Sequence, residues 1–276
     1  MMKLAWHVGL TESATERLPN APALWAALRK QAAEVVNPGT NVEICFSRKT
    51  TLSTQPFMGS VNAFMVAQDV QRLEAEGFDG AMIAASVDSG VYEARTSVAM
   101  PVIGSTEAAM GFSEFVGRRV GVVCIAGAGD YLGYVRAIEG LADRYGYRGR
   151  FISHRPVRPL GKSWEHFFET FARAIDGDSD ELASMYDTVC AEFARDGADV
   201  LLSGNQFMGA VMRMAGIPFL TPQGLPFIDN AAIGLKMLET LVSLRRTMGL
   251  NKSEAGDYRA VAKAQVDSVS GWFAKR

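Results

Sequence analysis

Gly77-Phe78-Asp79-Gly80-Ala81-Met82-Ile83-Ala84-Ala85-Ser86-Val87-Asp88-Ser89-Gly90 is the stretch whose reading decides the fold. A helix that stops at Gly77 leads into a short apolar strand, Ala81 to Ala84, which ends in a small polar loop before the next helix. Gly197-Ala198-Asp199-Val200-Leu201-Leu202-Ser203-Gly204-Asn205-Gln206 repeats the arrangement. Overlaid, Gly77 pairs with Gly197, Asp79 with Asp199 and Ala85 with Asn205. Two copies of one strand-end loop predict two similar halves, each contributing one wall of a shared site.

Working outward, strands are expected at Leu4–Val8, Val42–Phe46, Ala81–Ala84 and Met100–Gly104. Helices are expected from about Pro22 to Val36, Asn62 to Glu76 and Val91 to Val98, and another starts at Ser105-Thr106-Glu107. There a hydroxyl is available as N-cap and an acid lies in the first turn. A second unit begins at Arg119, with strands at Val120–Ile125 and Arg150–Ser153 and a glycine-rich exit at Ala126 to Asp130. Helices follow at Tyr131–Tyr145 and Glu181–Arg195, with a polar helical insert at Ser163–Asp176 between strand and helix. Short extended pieces stand at Ile217–Leu220 and Pro226–Asp229, then a long amphipathic helix, Ala231–Met248, and a helical tail. Alternating strands and helices give an α/β fold with parallel sheets. The boundaries expected are 1–115 with 228–276 for the first half and 116–227 for the second. In such sheets ligands sit at the carboxyl ends of the strands.

The chain has 276 residues and a formal net charge of -2, which argues against nucleic acid or an anionic membrane as its main partner. No apolar run is long enough to span a bilayer, and the N-terminus reads as a first strand, so the cytoplasm is the default location. Cys45, Cys124 and Cys190 are odd in number and far apart, and His7, His154 and His166 lack ligand spacing. Neither a disulfide framework nor a metal site is expected.

Ile83 to Gly90 and Met100-Pro101-Val102-Ile103-Gly104-Ser105-Thr106-Glu107-Ala108-Ala109 resemble the hydantoin racemase branch of the aspartate/glutamate racemase superfamily. Leu202 to Gly209 resembles its second catalytic loop, and Pro226 to Lys236 the start of its last long helix. The likeness covers most of the chain, leaving out the insert near Ser163–Asp176 and the tail after Gly249. It implies two Rossmann-like halves related by a pseudo-two-fold axis, a ligand between them, no cofactor, no metal and a homo-oligomer. Racemases of this group use two cysteines on opposite faces of the substrate carbon, and related decarboxylases keep one. Here those positions hold Ala85 and Asn205, neither of which titrates near neutral pH, so two-thiol racemisation has no thiols to run on.

The chemistry then falls to neighbours. Asn205 can polarise a carbonyl through its amide; the alternative is a loop asparagine closing a turn. His7, at the end of the first strand, suits acid–base work or a structural bond. Asp88 is a base or a loop anchor, and Glu107 a base or a partner of the helix dipole. Cys124 is a relocated thiol or a small core residue. Ala85, Ser86, Val87, Ser105, Thr106, Gln206, Arg48 and Ile125 are the expected substrate contacts. Ser86 as an N-cap, and Lys49, Arg155 and Arg158 as solvated charges, are the bland readings. Gly127-Ala128-Gly129 is a weak phosphate signal without the later Gly-Lys-Ser/Thr context. The expected function is a cofactor-independent enzyme acting on a small carboxylate or cyclic amide of hydantoin or imide type, by hydrolysis or C–C or C–N cleavage. The alternatives are a racemase with non-cysteine bases and a non-catalytic small-molecule binder.

Overall fold

A computed structural model describes the whole chain except residues 52, 54, 126–130, 263, 267 and 270–276. The first half runs β1 (Met2–His7), α1 (Glu12–Thr15), α2 (Ala21–Val35), β2 (Thr40–Cys45), α3 (Pro56–Ala75), β3 (Gly80–Ile83), α4 (Val91–Ser97), β4 (Val102–Gly104) and α5 (Ser105–Phe112). The second runs β5 (Val120–Ile125), α6 (Tyr131–Arg144), β6 (Val157–Leu160), α7 (Trp164–Ile175), α8 (Asp180–Arg195), β7 (Val200–Ser203), α9 (Met208–Met214), β8 (Phe227–Ile228) and α10 (Asn230–Met248). The sheets are parallel, in the orders β2-β1-β3-β4 and β6-β5-β7-β8. Counted within each half, the order is the same: second, first, third, fourth.

The repeat has a physical basis in how β3 and β7 begin. Gly77 and Gly197 both adopt left-handed backbone, with φ of 81° and 83°, which ends the preceding helix at little cost only for glycine. Asp79 accepts the Lys3 N–H at 2.7 Å and returns its own N–H to the Lys3 carbonyl. Asp199 does the same for Arg119, its Oδ1 accepting at 2.7 Å. Each carboxylate therefore sets the register of a central pair, Leu4 opposite Gly80 and Val120 opposite Val200. The strands that follow are fully buried, as strands covered on both faces must be.

α10 follows β8 in sequence but packs against α5, β3 and β4 of the first sheet. Gly234 permits the approach: a Cβ there would lie 2.4 Å from Met82 Sδ. Asp229 caps α10 by accepting the N–H groups of Ala231 and Ala232.

Several expectations need correction. The strand after α6 is Val157–Leu160; Phe151 makes only an isolated bridge to Val120. β6 is an edge strand, where Pro159 leaves no central ladder bond unmade. The segment at Ser163–Asp176 is helical but not a polar insert, since Phe167, Phe168 and Phe171 are buried in the main core. α3 begins at Pro56, six residues before the expected start at Asn62, with the proline in its first turn. Beyond Gly249, which caps α10 in left-handed backbone, the chain passes through turns and bends. Among the described residues of the tail, helix appears only at 264–266 and 268–269. Gly127-Ala128-Gly129 lies outside the described residues.

Candidate functional site

The carboxyl ends of both sheets open onto one cavity of about 790 Å³, within the range that holds small organic ligands. Ala84 to Val87 form one wall and Gly204 to Phe207 the other, so the two loops paired by the sequence repeat do face a common space. Val8, Gly9 and Leu10 after β1 and Thr50 and Thr51 after β2 extend the first wall; Ile125 and Tyr134 extend the second. Asn205 and Gln206 are buried, whereas Gln55 and Arg136 at the rim are exposed.

Asn205 closes a turn, the second of its two sequence readings. Its Oδ1 accepts the N–H groups of Phe207 at 2.9 Å and Met208 at 3.0 Å, closing the turn into α9. Two donors on one oxygen fix which end of the amide is which. The Nδ2 is therefore a pure donor, and it is buried without a partner. Gln206 is held across the cleft: it accepts from Trp6 Nε1 at 2.8 Å and donates to the Val8 carbonyl at 3.0 Å. Ala85, Ser86, Val87, Gln206 and Ile125 all line the cavity, as expected of substrate contacts.

The remaining expected residues stand elsewhere. His7 is buried beside Asp69, its Nε2 3.4 Å from Oδ2, and does not line the cavity. Arg48, expected in the site, instead holds the other Asp69 oxygen through Nε at 2.8 Å. Burial opposes the Asp69 charge, but the bonds from His7, Arg48 and Ser47 outweigh it and hold the carboxyl at about 2. Asp88 lies behind the wall. Its carboxyl accepts from the N–H groups of Thr106 at 3.1 Å and Glu107 at 2.7 Å and from Tyr145 Oη at 3.2 Å. It is thus the N-terminal cap of α5, the role expected of the Ser105 and Thr106 hydroxyls. Burial lifts its carboxyl to about 8, against the pull of those donors.

Glu107 is committed to Arg95 through both carboxylate oxygens and to the Gly104 N–H at 3.2 Å, so it faces away from the cavity. Thr106 Oγ1 donates to the Ser86 carbonyl at 2.9 Å, behind the loop. Ser105 is fully buried, next to Gly234 of α10. Cys124 is sealed inside β5, where burial drives its thiol far above the usual range. Burial lifts the thiols of Cys45 and Cys190 to about 11 and about 12. None of the three cysteines lines the cavity. Among the described residues, no group of His, Cys, Asp and Glu is placed to hold a metal ion.

Lining residues missed by sequence reading include Gln55, Asn62, Tyr134, Arg136 and Trp164. Tyr134 donates its hydroxyl to the Gly204 carbonyl, and burial raises it far above a normal phenol. Helical periodicity marks the buried stripe of α6 and α7, not which rim residues meet a loop from another sheet.

The family sequence model described as Asp/Glu/Hydantoin racemase matches residues 23–238. The chain belongs to this racemase family. The matched span runs through the Ser163–Asp176 segment, which the sequence resemblance had left out. The hydantoin racemase of Pseudomonas sp. (strain NS671) is 26% identical over 189 residues. That alignment takes in 65% of this chain and 64% of the relative, just under two thirds of its length. Among solved structures, allantoin racemase from Klebsiella pneumoniae superposes with a TM-score of 0.70 at 22% identity, covering 95% of each chain. Allantoin racemase from Pseudomonas fluorescens gives 0.67 at 20% identity, covering 94% of this chain and 97% of its own. These structures share the fold of two α/β halves.

Proposed function

We propose that this racemase-family member binds a small cyclic amide of hydantoin type between its halves and stabilises negative charge on a ring carbonyl oxygen, without thiols and without a cofactor. One observation carries the reading: the Asn205 Nδ2 is a buried donor with no partner on the cavity wall, at the position that the sequence resemblance matches to the family's second cysteine. A buried donor left unpaired costs roughly 1–3 kcal/mol, which a ligand carbonyl would recover. A carbon between a carbonyl and an amide nitrogen is already acidic, and removing its proton moves charge onto that oxygen. A fixed donor there strengthens its bond as charge develops, and losing one such donor typically slows turnover about 100- to 1000-fold.

With no thiol on the cavity wall, the proton is carried by water. Return from either side gives racemisation, the activity in most of the relatives' names; the preference for hydrolysis or cleavage, expected from the missing cysteines alone, draws no support from them. The test compares Asn205→Ala with Asn205→Asp on a hydantoin panel, following optical rotation and deuterium uptake at the ring carbon in heavy water. The aspartate keeps an oxygen to cap α9 but lacks the donor. Both variants should lose at least about 100-fold, with the aspartate variant retaining its melting temperature. Full activity in a folded Asn205→Asp protein sinks the proposal.

A second reading, a binder without turnover, draws on the absence of any carboxylate, imidazole or thiol among the described lining residues. It expects thermal stabilisation by hydantoins with no deuterium exchange.

A further inference from the structure

We infer that the ligand of this cavity carries a small anionic arm, a carboxylate in the simplest case, that pairs with Arg136 at the mouth. The inference rests on reading the cavity as the ligand site and adds the charge class of what enters it. Among the described lining residues Arg136 is the one with a formal charge, and no acid stands with it. It lies on α6 at the exposed rim and makes no ion pair with a described residue, whereas Arg48 and Arg95 are each held by a carboxylate.

Several of the other polar groups of the wall are already engaged. Asn62 accepts from the Thr51 N–H at 2.9 Å and donates to the Thr51 carbonyl at 2.8 Å. Gln206 is bound at both ends of its amide to Trp6 and Val8, and Tyr134 donates to Gly204. Two donors differ from the rest of the wall, the Asn205 Nδ2 by being buried without a partner and the Arg136 guanidinium by carrying the charge at the rim. A ligand that fits such a space is an acceptor at its inner end and an anion at its outer end; among the described lining residues a cation would find no countercharge. A guanidinium also offers a planar pair of donors that matches a carboxylate.

Because the rim is exposed, water and salt weaken the pair, and a preference of roughly three- to tenfold is the scale to expect. The test measures dissociation constants for hydantoin-5-acetate and its uncharged amide, hydantoin-5-acetamide, with the full chain and with Arg136→Gln and Arg136→Lys. Thermal stabilisation by glutarate is measured on the same proteins. The expected result is tighter binding of the acid by about three- to tenfold at low salt, shrinking as sodium chloride is added. Arg136→Gln erases the preference and Arg136→Lys retains part of it. Equal binding of acid and amide, or a preference that survives in Arg136→Gln, overturns the anionic arm while leaving the cyclic-amide reading intact. If neither hydantoin binds but glutarate stabilises the full chain and not Arg136→Gln, the arm stands and the cyclic-amide reading falls. If no probe binds, both fall.

Discussion

Asp69 gathers His7 and Arg48, which sequence reading had offered to the site, together with Ser47. His7, Ser47 and Arg48 converge on its two oxygens, and it is buried. Its carboxyl titrates at about 2, below its ordinary value of 3.8. A depressed acid contributes stability that is fully present above its unfolded value and is lost as pH falls through its folded one. Asp69→Asn should therefore lower unfolding free energy by roughly 1–2 kcal/mol near neutrality. The gap to the parent protein should close between about pH 4 and pH 2 in urea titrations. A constant gap across that window would mean that the charge is not what the site uses. Asp69 was invisible in the sequence because its partners lie 21 and 62 residues away and nothing in helical periodicity singles it out. Asn205, by contrast, was legible because the repeat supplied a second copy to align it with.

At the scale of elements, the loop from Ala85 to Gly90 is held by what comes after it. Asp88, with a left-handed φ of 44°, reaches forward to cap α5. Asp88→Ala removes that cap, leaves two helix-end donors without an acceptor and replaces an aspartate, which tolerates left-handed backbone, with an alanine that tolerates it less. Together these should cost about 2–4 kcal/mol in denaturant unfolding. Asp88→Asn, which keeps one acceptor oxygen, should lose less, and equal losses would rule out capping as the cause. Strand identity was read well where strands are central and apolar, as at Val120–Ile125. It failed at Val157–Leu160, because Pro156 and Pro159 read as loop punctuation, and only the sheet order shows that the strand is an edge. α7 was read as polar because its charged residues face solvent in a sequence with no partner to compare; its phenylalanines show where it packs.

For the whole molecule, the cleft is a seam between two sheets, and Gln206 crosses it. Its amide joins the second loop to β1 and the residue just beyond it through Trp6 and Val8. Gln206→Leu should leave an indole N–H and a carbonyl unpaired in the interior, with a loss of about 2–4 kcal/mol. Ligand-induced stabilisation should fall as well, since the two walls would no longer be tied. An unchanged melting temperature in that variant would show that other contacts set the spacing. The two-halved architecture was readable from the paired glycines and aspartates, because the same turn and the same clasp were needed twice. The contents of the cavity were not, since rim residues are chosen by the meeting of loops far apart in sequence.

The two hydrogen bonds accepted by the Asn205 Oδ1 have a further consequence. Ala85 sits beside Gly9 on the cavity wall, and a thiol there would add an atom while taking no hydrogen bond away. A thiol at Asn205 would strip the first donors of α9 of their acceptor. At the two positions where the sequence resemblance puts the family's cysteines, a thiol is thus unequally accommodated: at Ala85 no hydrogen bond is lost, while at Asn205 the turn into α9 depends on the amide oxygen. Installing a thiol at both positions would therefore require a new acceptor for the turn before α9.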